Sequence, residues 1–434
     1  MARQPAGGDV DGRQSADCRA SDLGPSARTQ SALYVRRLVP DAQQGLTALA
    51  RSLHAEARAA GLKTVAITGS AGKTSTKDLL AQILAAAGPT ISPLGSFNNE
   101  LGTPLTVCQI DEQTRYLVSE MGARAIGDVA HLCSIVHPSA SIVLNIGTAH
   151  LGEFGSQQAI AEAKGEIVEA LDNDGWAVLN ADDPFVNAMD SRTSAHIARF
   201  SVSSTSPIHA ELIVRASDLR ADDLDRFGFT LTVSRPASGE ADEHAQIQLR
   251  VIGEHQVVDS VAAATAALAL GVDLETVATA LSSATARSRW RMELHEAPNG
   301  AAVINDAYNA NPESMAAALR TVAAIVERRR HSLPTARLIA VLGDMLELGA
   351  RSAEHHADIG RLAAELGFDE IVALGDYAQD LVDGAQQAGG NARVSDAASV
   401  ADSLDLQPAD VVVVKASRDL RLEEVADRLV VGED

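Results

Sequence analysis

The sequence predicts an α/β fold built on mostly parallel sheets, and two observations support this. Short apolar, β-rich segments alternate with helical patterns along most of the 434 residues. The composition then changes near residues 292–302, and a new series of alternating strands and helices follows. The length favours about two to four domains. We therefore expect at least two α/β units, the second with its own parallel sheet.

The N-terminal part of the chain is predicted to contain an irregular leader and a helix before the first strand. Residues 1–40 are rich in Gly, Ser, Arg, Asp and Gln with little periodicity, which predicts a disordered or non-native leader. From Gln44, apolar residues recur at helical spacing and lead into a short β-rich run, Thr64–Thr68. A helical pattern follows over Asp78–Ala87. The segment between that strand and that helix is the most informative one in the chain.

This segment has the composition of a phosphate-binding loop. Its residues are Gly69, Ser70, Ala71, Gly72, Lys73, Thr74 and Ser75. Glycines let backbone N–H groups turn toward an anion, and the helix N-terminus adds positive potential. Lys73 supplies charge, and Thr74 offers a hydroxyl to Mg²⁺. The generic pattern has another glycine where this chain has Ile67. The strand–turn–helix context disfavours the alternative of a glycine-rich turn with an incidental lysine.

Composition excludes several classes of protein. Asp and Glu outnumber Lys and Arg by 58 to 36, and a net charge of −22 argues against a nucleic-acid-binding surface. No apolar run is long enough to span a bilayer, and the N-terminus lacks the apolar core of a signal peptide, which predicts a cytoplasmic protein. Cys18, Cys108 and Cys133 lack ligand spacing, which disfavours a disulfide framework or a structural zinc site. Only five basic residues are lysines, which gives each of them weight.

Two further strands are predicted to end beside the loop. Tyr116–Ser119 delivers Glu120, and Ser141–Ile146 leads to His150. Ligands of parallel sheets bind beyond the carboxyl ends of the strands, so these side chains are expected near Thr74. A carboxylate and a hydroxyl suit Mg²⁺, whereas imidazole is a less usual ligand. Each residue alone is more often only a polar strand end, and the combination with the loop favours a metal site.

The next elements are less specific. A helix is predicted over Ala159–Leu171, and its lysine, Lys164, reads from the residues alone as a solvated helix lysine. Trp176–Asn180 reads as a strand. Residues 195–252 alternate apolar and polar positions, which predicts antiparallel ribbons, and Val257–Leu270 is an Ala-rich helix.

In the second unit the predicted elements are Ala302–Asn305, Ser314–Arg328, Arg337–Leu342, Glu354–Leu366, Ile371–Leu374, Val411–Lys415 and Leu420–Val430. The polar run Asp306–Pro312 follows a strand. It either contacts a ribose and a base or is a loop in which Pro312 opens the next helix. Arg289 and Arg291 flank Trp290 at the junction, where one of them either reaches a triphosphate or packs the hinge.

Together these segments resemble the Mur ligase family, ATP-dependent enzymes that form amide bonds in peptidoglycan assembly. The family form of the loop is Thr-Gly-x-x-Gly-Lys-Thr, present here from Thr68 to Thr74. Six segments in order carry the rest of the resemblance, which covers residues 44–430: Phe97–Pro104, Ala149–Gly155, Ala163–Glu166, Asp306–Pro312, Gly343–Gly349 and Lys415–Arg418.

The resemblance implies an architecture and its boundaries. Residues 43–292 would form a central ATPase domain of the phosphate-loop type. Residues 293–434 would form a C-terminal Rossmann-like domain that closes over ATP. Residues 1–42 would be a disordered leader or a remnant of an N-terminal domain. Family members hold the UDP part of their substrate in that domain, and most of it is expected to be absent here.

Family roles map onto matching positions. Lys73 and the loop amides would hold the β- and γ-phosphates of ATP. Thr74 and Glu120 would bind one Mg²⁺ and His150 a second, while Lys164 matches a lysine that is carbamylated and becomes a metal ligand. The remaining nucleotide contacts would be Asn145, Arg291 at the junction, Asp306 at the ribose, and Asn309 with Asn311 on the adenine side. The substrate contacts would be Asn98, Asn99, Asp344, Lys415, Ser417 and Arg418.

The implied reaction joins D-alanyl-D-alanine to UDP-N-acetylmuramoyl-tripeptide through an acyl phosphate, by a cytoplasmic monomer without nucleic-acid or membrane partners. Two alternatives stay open. One is a related ligase, of Mur or folylpolyglutamate type, with another amino acid as substrate. The other is a truncated nucleotide-binding homologue without turnover. The chain also departs from the family's His-Asn-x-x-Asn, since it has Gln256 and Asp259 at the two amide positions. A carboxylate at Asp259 would repel phosphate.

Overall fold

The computed structural model describes residues 41–147, 154–203 and 208–431. The first described helix is α1 (Ala42–Ala59). It begins at Asp41, whose Oδ1 accepts the backbone N–H groups of Gln43 at 2.7 Å and Gln44 at 3.1 Å. Such a side chain satisfies N–H groups that the first helical turn leaves unpaired. The residues from Leu46 onward form one compact unit.

The first part of that unit is a sheet of nine described strands with helices on both faces. Its elements are β1 (Lys63–Thr68), α2 (Lys73–Ala87), β2 (Thr90–Ile91), α3 (Gly102–Val107), β3 (Tyr116–Glu120), α4 (Asp128–Val136), β4 (Ala140–Val143), α5 (Gln157–Glu169), β5 (Trp176–Asn180), α6 (Pro184–Asn187), β6 (His196–Ser201), β7 (Leu212–Ala221), β8 (Phe227–Ser234), β9 (Glu243–Gln248), α7 (His255–Ala269) and α8 (Leu274–Ser283). The strand order is β2-β3-β1-β4-β5-β6-β7-β8-β9. Pairing is parallel from β2 to β7 and antiparallel between β7, β8 and β9.

The register of β1 brings the predicted site residues together. Ile67 pairs with Glu120 at the end of β3 on one side and with Ile142 of β4 on the other. The carboxyl ends of the three strands therefore meet at one edge of the sheet, where ligands of parallel sheets bind.

The apolar strands at the centre of the first sheet, such as β1 and β3, are buried on both faces. Val65 and Ile67 point into a cluster that includes Leu80 of α2 and Val261 of α7. Ala66, between them, points into a cluster on the opposite face with Leu132 of α4. Successive strand residues face opposite sides, so a strand with no polar face must be covered by helices on both. The loop after β1 thus projects from a fully packed strand.

The second part is a six-stranded sheet. Its elements are β10 (Glu293–Glu296), β11 (Ala302–Asn305), α9 (Pro312–Ser332), β12 (Leu338–Leu342), α10 (Ser352–Glu365), β13 (Glu370–Ala373), α11 (Ala378–Gln387), β14 (Ala392–Val394), α12 (Val400–Ser403), β15 (Val411–Lys415) and α13 (Glu423–Val431). The order is β10-β11-β15-β12-β13-β14, parallel except for the β10–β11 pair. Asn305 pairs with Val414 and Leu342 with Lys415, so their strands end at one edge.

The predicted α/β class with mostly parallel sheets is confirmed. Trp176–Asn180, Ala302–Asn305 and Val411–Lys415 are strands with the predicted bounds. The antiparallel ribbons predicted over residues 195–252 are correct for the pairing of β7, β8 and β9 and wrong for β6, which pairs in parallel with both β5 and β7. Nine of the described elements were not anticipated: β2, α3, α4, α6, α8, β10, α11, β14 and α12. In the described ranges, no helix combines the length and the apolar character needed to cross a membrane. The predicted domain boundaries stay predictions.

Candidate active site

The loop between β1 and α2 is shaped by its two glycines. Gly72 precedes the helix with φ of +82°, a left-handed conformation that L side chains rarely adopt. A Cβ atom at Gly72 would collide with the Asp259 carboxylate, and one at Gly69 would lie 2.9 Å from Leu144 Cβ. Both positions therefore require glycine, and the loop packs closely against α7 and the end of β4.

Asn145 fixes the backbone of the same loop. Its Oδ1 accepts the Ala71 N–H at 2.9 Å, and its Nδ2 donates to the Ala71 carbonyl at 3.2 Å. The Ser70 N–H donates to the Asn145 carbonyl at 3.1 Å. Asn145, predicted to contact nucleotide, thus binds both backbone polar groups of one loop residue, Ala71, and its contact with nucleotide stays a prediction.

Lys73 lies over the loop that it follows. Its Nζ donates to the Gly69 carbonyl at 2.7 Å. Burial lowers the pKa of Lys73, the Glu120 carboxylate opposes this, and Arg291 lowers it further. The influence of Glu120 and Arg291 shows that the end of β3 and the segment before β10 both lie near the lysine. The Lys73 side chain therefore lies close to the phosphate loop and to both Glu120 and Arg291.

Glu120 is the most hydrogen-bonded carboxylate of the site and is only 1% exposed. Thr74 Oγ1 donates to its Oε2 at 2.9 Å. Ser96 Oγ and Asn98 Nδ2 donate to its Oε1 at 2.6 and 2.8 Å. Three neutral donors surround the carboxylate, so its charge stays available to a cation.

The Thr74–Glu120 pair fits a magnesium site. Mg²⁺ prefers hard oxygen ligands and is usually bound through one or two protein groups together with substrate phosphates and water. The described residues contain no cluster of three His, Cys, Asp or Glu side chains that could hold a metal without such help. His150, the predicted second ligand, lies outside the described residues.

Lys164 is buried, at 2% exposure, and its Nζ donates to the Gly69 carbonyl at 3.2 Å. Burial and the neighbouring Lys73 ammonium hold the pKa of Lys164 well below its usual value. The position excludes the reading of this residue as a solvated helix lysine. A neutral amine next to the phosphate loop is the form that can react with CO₂ to give a carbamate.

A second cluster lies where β11 and β15 end. Lys415 Nζ pairs with Asp306 Oδ2 at 2.6 Å and donates to the Asn309 carbonyl at 2.8 Å. Asp306 Oδ1 accepts the Met292 N–H at 3.1 Å. Asn311 caps α9, because its Oδ1 accepts the Ser314 N–H at 2.8 Å and Pro312 takes the first helical position. The helix-opening alternative for this loop is therefore correct for Asn311, and its contact with adenine stays a prediction.

Arg291 connects the two clusters. Its guanidinium lies 4.2 Å from the centre of the Tyr308 ring, in the loop after β11. Its positive charge also acts on the pKa values of Lys73 and Asp259 beside the phosphate loop. Arg291 therefore packs the junction, as one of the two alternatives expected, and its contact with a triphosphate stays a prediction.

Glu313 was missed by sequence reasoning. It lies in the first turn of α9, and a Cβ atom placed on Gly147 would be 3.3 Å from its Oε1 and 3.3 Å from Ser70 Cβ. Glu313 lies two residues after the capping residue Asn311. This position did not predict that Glu313 lies near the phosphate loop, since acidic residues are common in the first turn of any helix. The start of α9 thus borders the phosphate loop.

Asp259 occupies a buried position next to Gly72, with 3% exposure. Thr76 Oγ1 donates to its Oδ1 at 3.2 Å. Burial raises the pKa of Asp259 to about 8, although the Thr76 hydrogen bond and Arg291 act in the opposite direction. At neutral pH the group is then mainly a neutral acid, a donor as well as an acceptor. The expected repulsion of phosphate does not apply to that form.

Most of the predicted substrate residues organise loops. Asn99 Oδ1 accepts the Gly102 N–H at 2.8 Å at the start of α3. The Asp344 carboxylate accepts the Asp376 and Tyr377 N–H groups, at 2.8 and 3.0 Å. Ser417 Oγ accepts the Leu346 N–H at 3.0 Å. Asp344 and Ser417 thus hold strand-end loops of the second sheet, whereas Asn99 holds the loop before α3, and the contacts of all three with substrate stay predictions.

Arg418 lies at the junction between the two sheets. It pairs with Glu423, and its guanidinium is 4.2 Å from the centre of the Trp290 ring. Arg289 lies over the same ring at 5.1 Å. The tryptophan next to Arg291 is therefore held between two guanidinium groups, which fixes the start of the second sheet.

Comparison with known proteins gives consistent results. The Mur ligase middle domain matches residues 67–267, and the Mur ligase glutamate ligase domain matches residues 290–418. UDP-N-acetylmuramoyl-tripeptide–D-alanyl-D-alanine ligase from Mycobacterium bovis is 42% identical over 404 residues, which cover 89% of this chain and 76% of the relative.

Solved structures resemble the chain as well. MurF from Acinetobacter baumannii superposes with a TM-score of 0.76 at 32% identity and covers 90% of this chain and 81% of its own. MurF ligase from Thermotoga maritima, in complex with ADP, gives a TM-score of 0.72 at 25% identity and covers 91% of this chain and 84% of its own.

Proposed function

This chain belongs to the Mur ligase family, and from that premise we propose that it joins D-alanyl-D-alanine to UDP-N-acetylmuramoyl-tripeptide with hydrolysis of ATP to ADP. The substrates are those in the names of its relatives. The observation that carries the proposal is the meeting of Lys73, Thr74 and Glu120 at one sheet edge, with Lys164 beneath the same loop.

The chemistry requires two anions to approach each other. The terminal carboxylate of the tripeptide attacks the γ-phosphate of ATP and forms an acyl phosphate, which the amine of D-alanyl-D-alanine then attacks to give the amide and free phosphate. Catalysis of phosphoryl transfer is mainly positioning and charge stabilisation. Lys73 and the loop N–H groups are arranged to hold the phosphates, and Arg291 brings a second positive charge from the junction.

Thr74 and Glu120 are the residues that would hold Mg²⁺. The ion would neutralise charge on the phosphates when bound. Lys164 would serve as a carbamate, since its buried amine has a lowered pKa and is the nucleophilic, neutral form. Asp306, whose carboxylate is oriented by Lys415, would receive the ribose hydroxyl groups, because carboxylate oxygens accept hydrogen bonds.

A two-part assay tests the proposal. ATP-dependent phosphate release should require both UDP-N-acetylmuramoyl-tripeptide and D-alanyl-D-alanine, and the product should gain the mass of the dipeptide. Replacement of the dipeptide by glutamate or meso-diaminopimelate should give no release. Release with one of those amino acids would identify a related ligase. ATP binding without any release would identify a nucleotide-binding homologue.

We also propose that the protein is located in the cytoplasm, where ATP and soluble precursors are available, and that it is a monomer. Sedimentation velocity over a range of protein concentrations tests the monomer. A single species near 45.3 kDa is expected. A larger species that persists on dilution would contradict it.

A further inference from the structure

Lys77 lies one helical turn after Lys73 and has no exposed surface. Its Nζ donates to the carbonyls of Pro93 at 2.7 Å and Gly95 at 3.0 Å, and it pairs with Asp78 Oδ1 at 2.7 Å. An ammonium group is costly to bury unless it is paired and hydrogen-bonded. Three acceptors match the three N–H donors of the Lys77 ammonium group, so its surroundings stabilise the charged form.

The two carbonyls belong to the segment that surrounds Glu120. Gly95 directly precedes Ser96 and Pro93 lies three residues before it. Ser96 Oγ donates to Glu120 Oε1 at 2.6 Å. Asn98, two residues later, donates to the same oxygen at 2.8 Å. A segment without regular structure keeps such a geometry only when its backbone is anchored, and Lys77 provides that anchor from the phosphate-loop helix.

The partner of Lys77 holds a second segment. Asp78 Oδ2 accepts the Ser288 N–H at 2.8 Å, and Lys77 Nζ lies 3.4 Å from Ser288 Oγ. Ser288 precedes Arg291 by three residues, and Arg291 is the junction side chain whose charge acts on Lys73. One buried ion pair therefore contacts both the segment that orients Glu120 and the segment that presents Arg291.

From these contacts we infer that Lys77 is a positioning residue of the ligase reaction, which holds Ser96 and Asn98 against Glu120 and, with Asp78, holds the segment that presents Arg291. The inference rests on the proposed function, in which Glu120 belongs to the magnesium site. The Nζ atom of Lys77 is engaged by Pro93, Gly95 and Asp78, so we assign it a role that acts through other residues. Groups that orient a metal ligand change metal affinity or activity by about 10–100-fold when removed.

The test compares Lys77→Met, which removes the charge at similar length, with Lys77→Arg, which retains it. Lys63→Met is the matched control, because Lys63 is an exposed lysine at the start of β1. Hydrogen exchange of the Gly122 amide, which donates to the Asn98 carbonyl at 2.8 Å, is measured in the nucleotide-free protein. The half-saturating Mg²⁺ concentration and the separate values of kcat and KM for ATP are measured in the loaded enzyme.

Lys77→Met should speed exchange of the Gly122 amide while β5 keeps its protection, and should raise half-saturating Mg²⁺ about 10–100-fold. Lys77→Arg should recover part of both effects, and Lys63→Met should change neither. Adding Ser96→Ala to Lys77→Met should shift the Mg²⁺ dependence by less than the sum of the single changes, because one acts through the other.

Three outcomes would overturn the inference: wild-type exchange of the Gly122 amide in Lys77→Met, an unchanged Mg²⁺ dependence, or loss of protection that is uniform across the sheet. If Lys77→Met does not fold, Lys77→Gln, which keeps an uncharged donor, is judged by the same outcomes. If the wild type releases no phosphate, the proposed reaction fails, and the exchange data with Mg²⁺-dependent ATP binding still decide the role of Lys77.

Discussion

The Nζ atoms of Lys73 and Lys164 share one acceptor, the carbonyl oxygen of Gly69, at 2.7 and 3.2 Å. Protonation of both amines is unfavourable, because two positive charges this close together in a buried site repel each other. The lowered pKa of Lys164 is the outcome, with burial as its main cause and Lys73 as the second. The pKa of Lys73 is also lowered, and Lys164 is the lysine whose surroundings favour the neutral, reactive amine more strongly.

Lys164→Ala should abolish ligase activity, because the carbamate that we propose at this position cannot form. Short carboxylic acids such as formate or acetate should restore part of the activity, since they supply an oxygen pair in the vacated space. The measurement is phosphate release with increasing acid, compared with Lys63→Ala at an exposed position. Full activity of Lys164→Ala without added acid would rule out the role.

Lys73→Ala should lower kcat by about 10²–10³, the cost of removing one preorganised donor from a developing charge. The fold should survive, since the Asn145 hydrogen bonds that shape the loop do not involve Lys73. Steady-state phosphate release and thermal unfolding on the same samples separate the two effects. Turnover close to the wild type would contradict the assignment of Lys73 to the phosphates.

Asp259→Asn should change the pH dependence of stability. The folded pKa of Asp259, about 8, lies above the ordinary value of 3.8, so the folded state holds a proton that the unfolded state has lost between these values. The contribution of this group is complete below pH 4 and declines as the pH rises toward 8. The amide needs no proton, so the stability of Asp259→Asn relative to the wild type should rise over that range.

Urea unfolding of both proteins at pH 5, 7 and 8.5 measures this difference, with exposed Asp242→Asn as the control. ATP affinity gives a second readout. In the wild type it should weaken as the pH passes 8, because a carboxylate then appears beside Gly72, and Asp259→Asn should lack that decline. Parallel pH curves for the two proteins would show that the acid does not titrate in this range.

Arg291→Lys should raise KM for ATP by about tenfold although it keeps the positive charge. The planar guanidinium stacks on Tyr308, and an ammonium group on a flexible chain loses that orientation. Tyr308→Phe keeps the ring face and should stay near the wild type, whereas Tyr308→Ala should resemble Arg291→Lys. Equal KM values in Arg291→Lys and the wild type would show that charge alone matters there.

The phosphate loop and Glu120 could be predicted from the sequence because their signals are local. A glycine turn between a strand and a helix has a fixed geometry, and parallel strands bring their carboxyl ends to one edge. The strand bounds at Trp176–Asn180 and Val411–Lys415 were predictable for a similar reason, since short apolar runs between turns leave little choice.

Other features depend on residues that are distant in sequence. The burial of Lys77 is set by Pro93, Gly95 and Ser288, none of which marks a lysine site in the sequence. The neutral state of Asp259 follows from packing against the phosphate loop, whereas the residue type alone suggested a charge. Tertiary burial, and not spacing, decides both cases.

The five lysines of the chain differ sharply in exposure. Lys77, Lys164 and Lys415 are at most 3% exposed, Lys73 is partly buried in the site, and Lys63 is exposed. A reagent that acylates primary amines should therefore modify Lys63 readily and the other four slowly in the folded protein. The rate at which such adducts form at the buried lysines, mapped by mass spectrometry with and without ATP, would therefore measure how often the catalytic cleft opens to solvent.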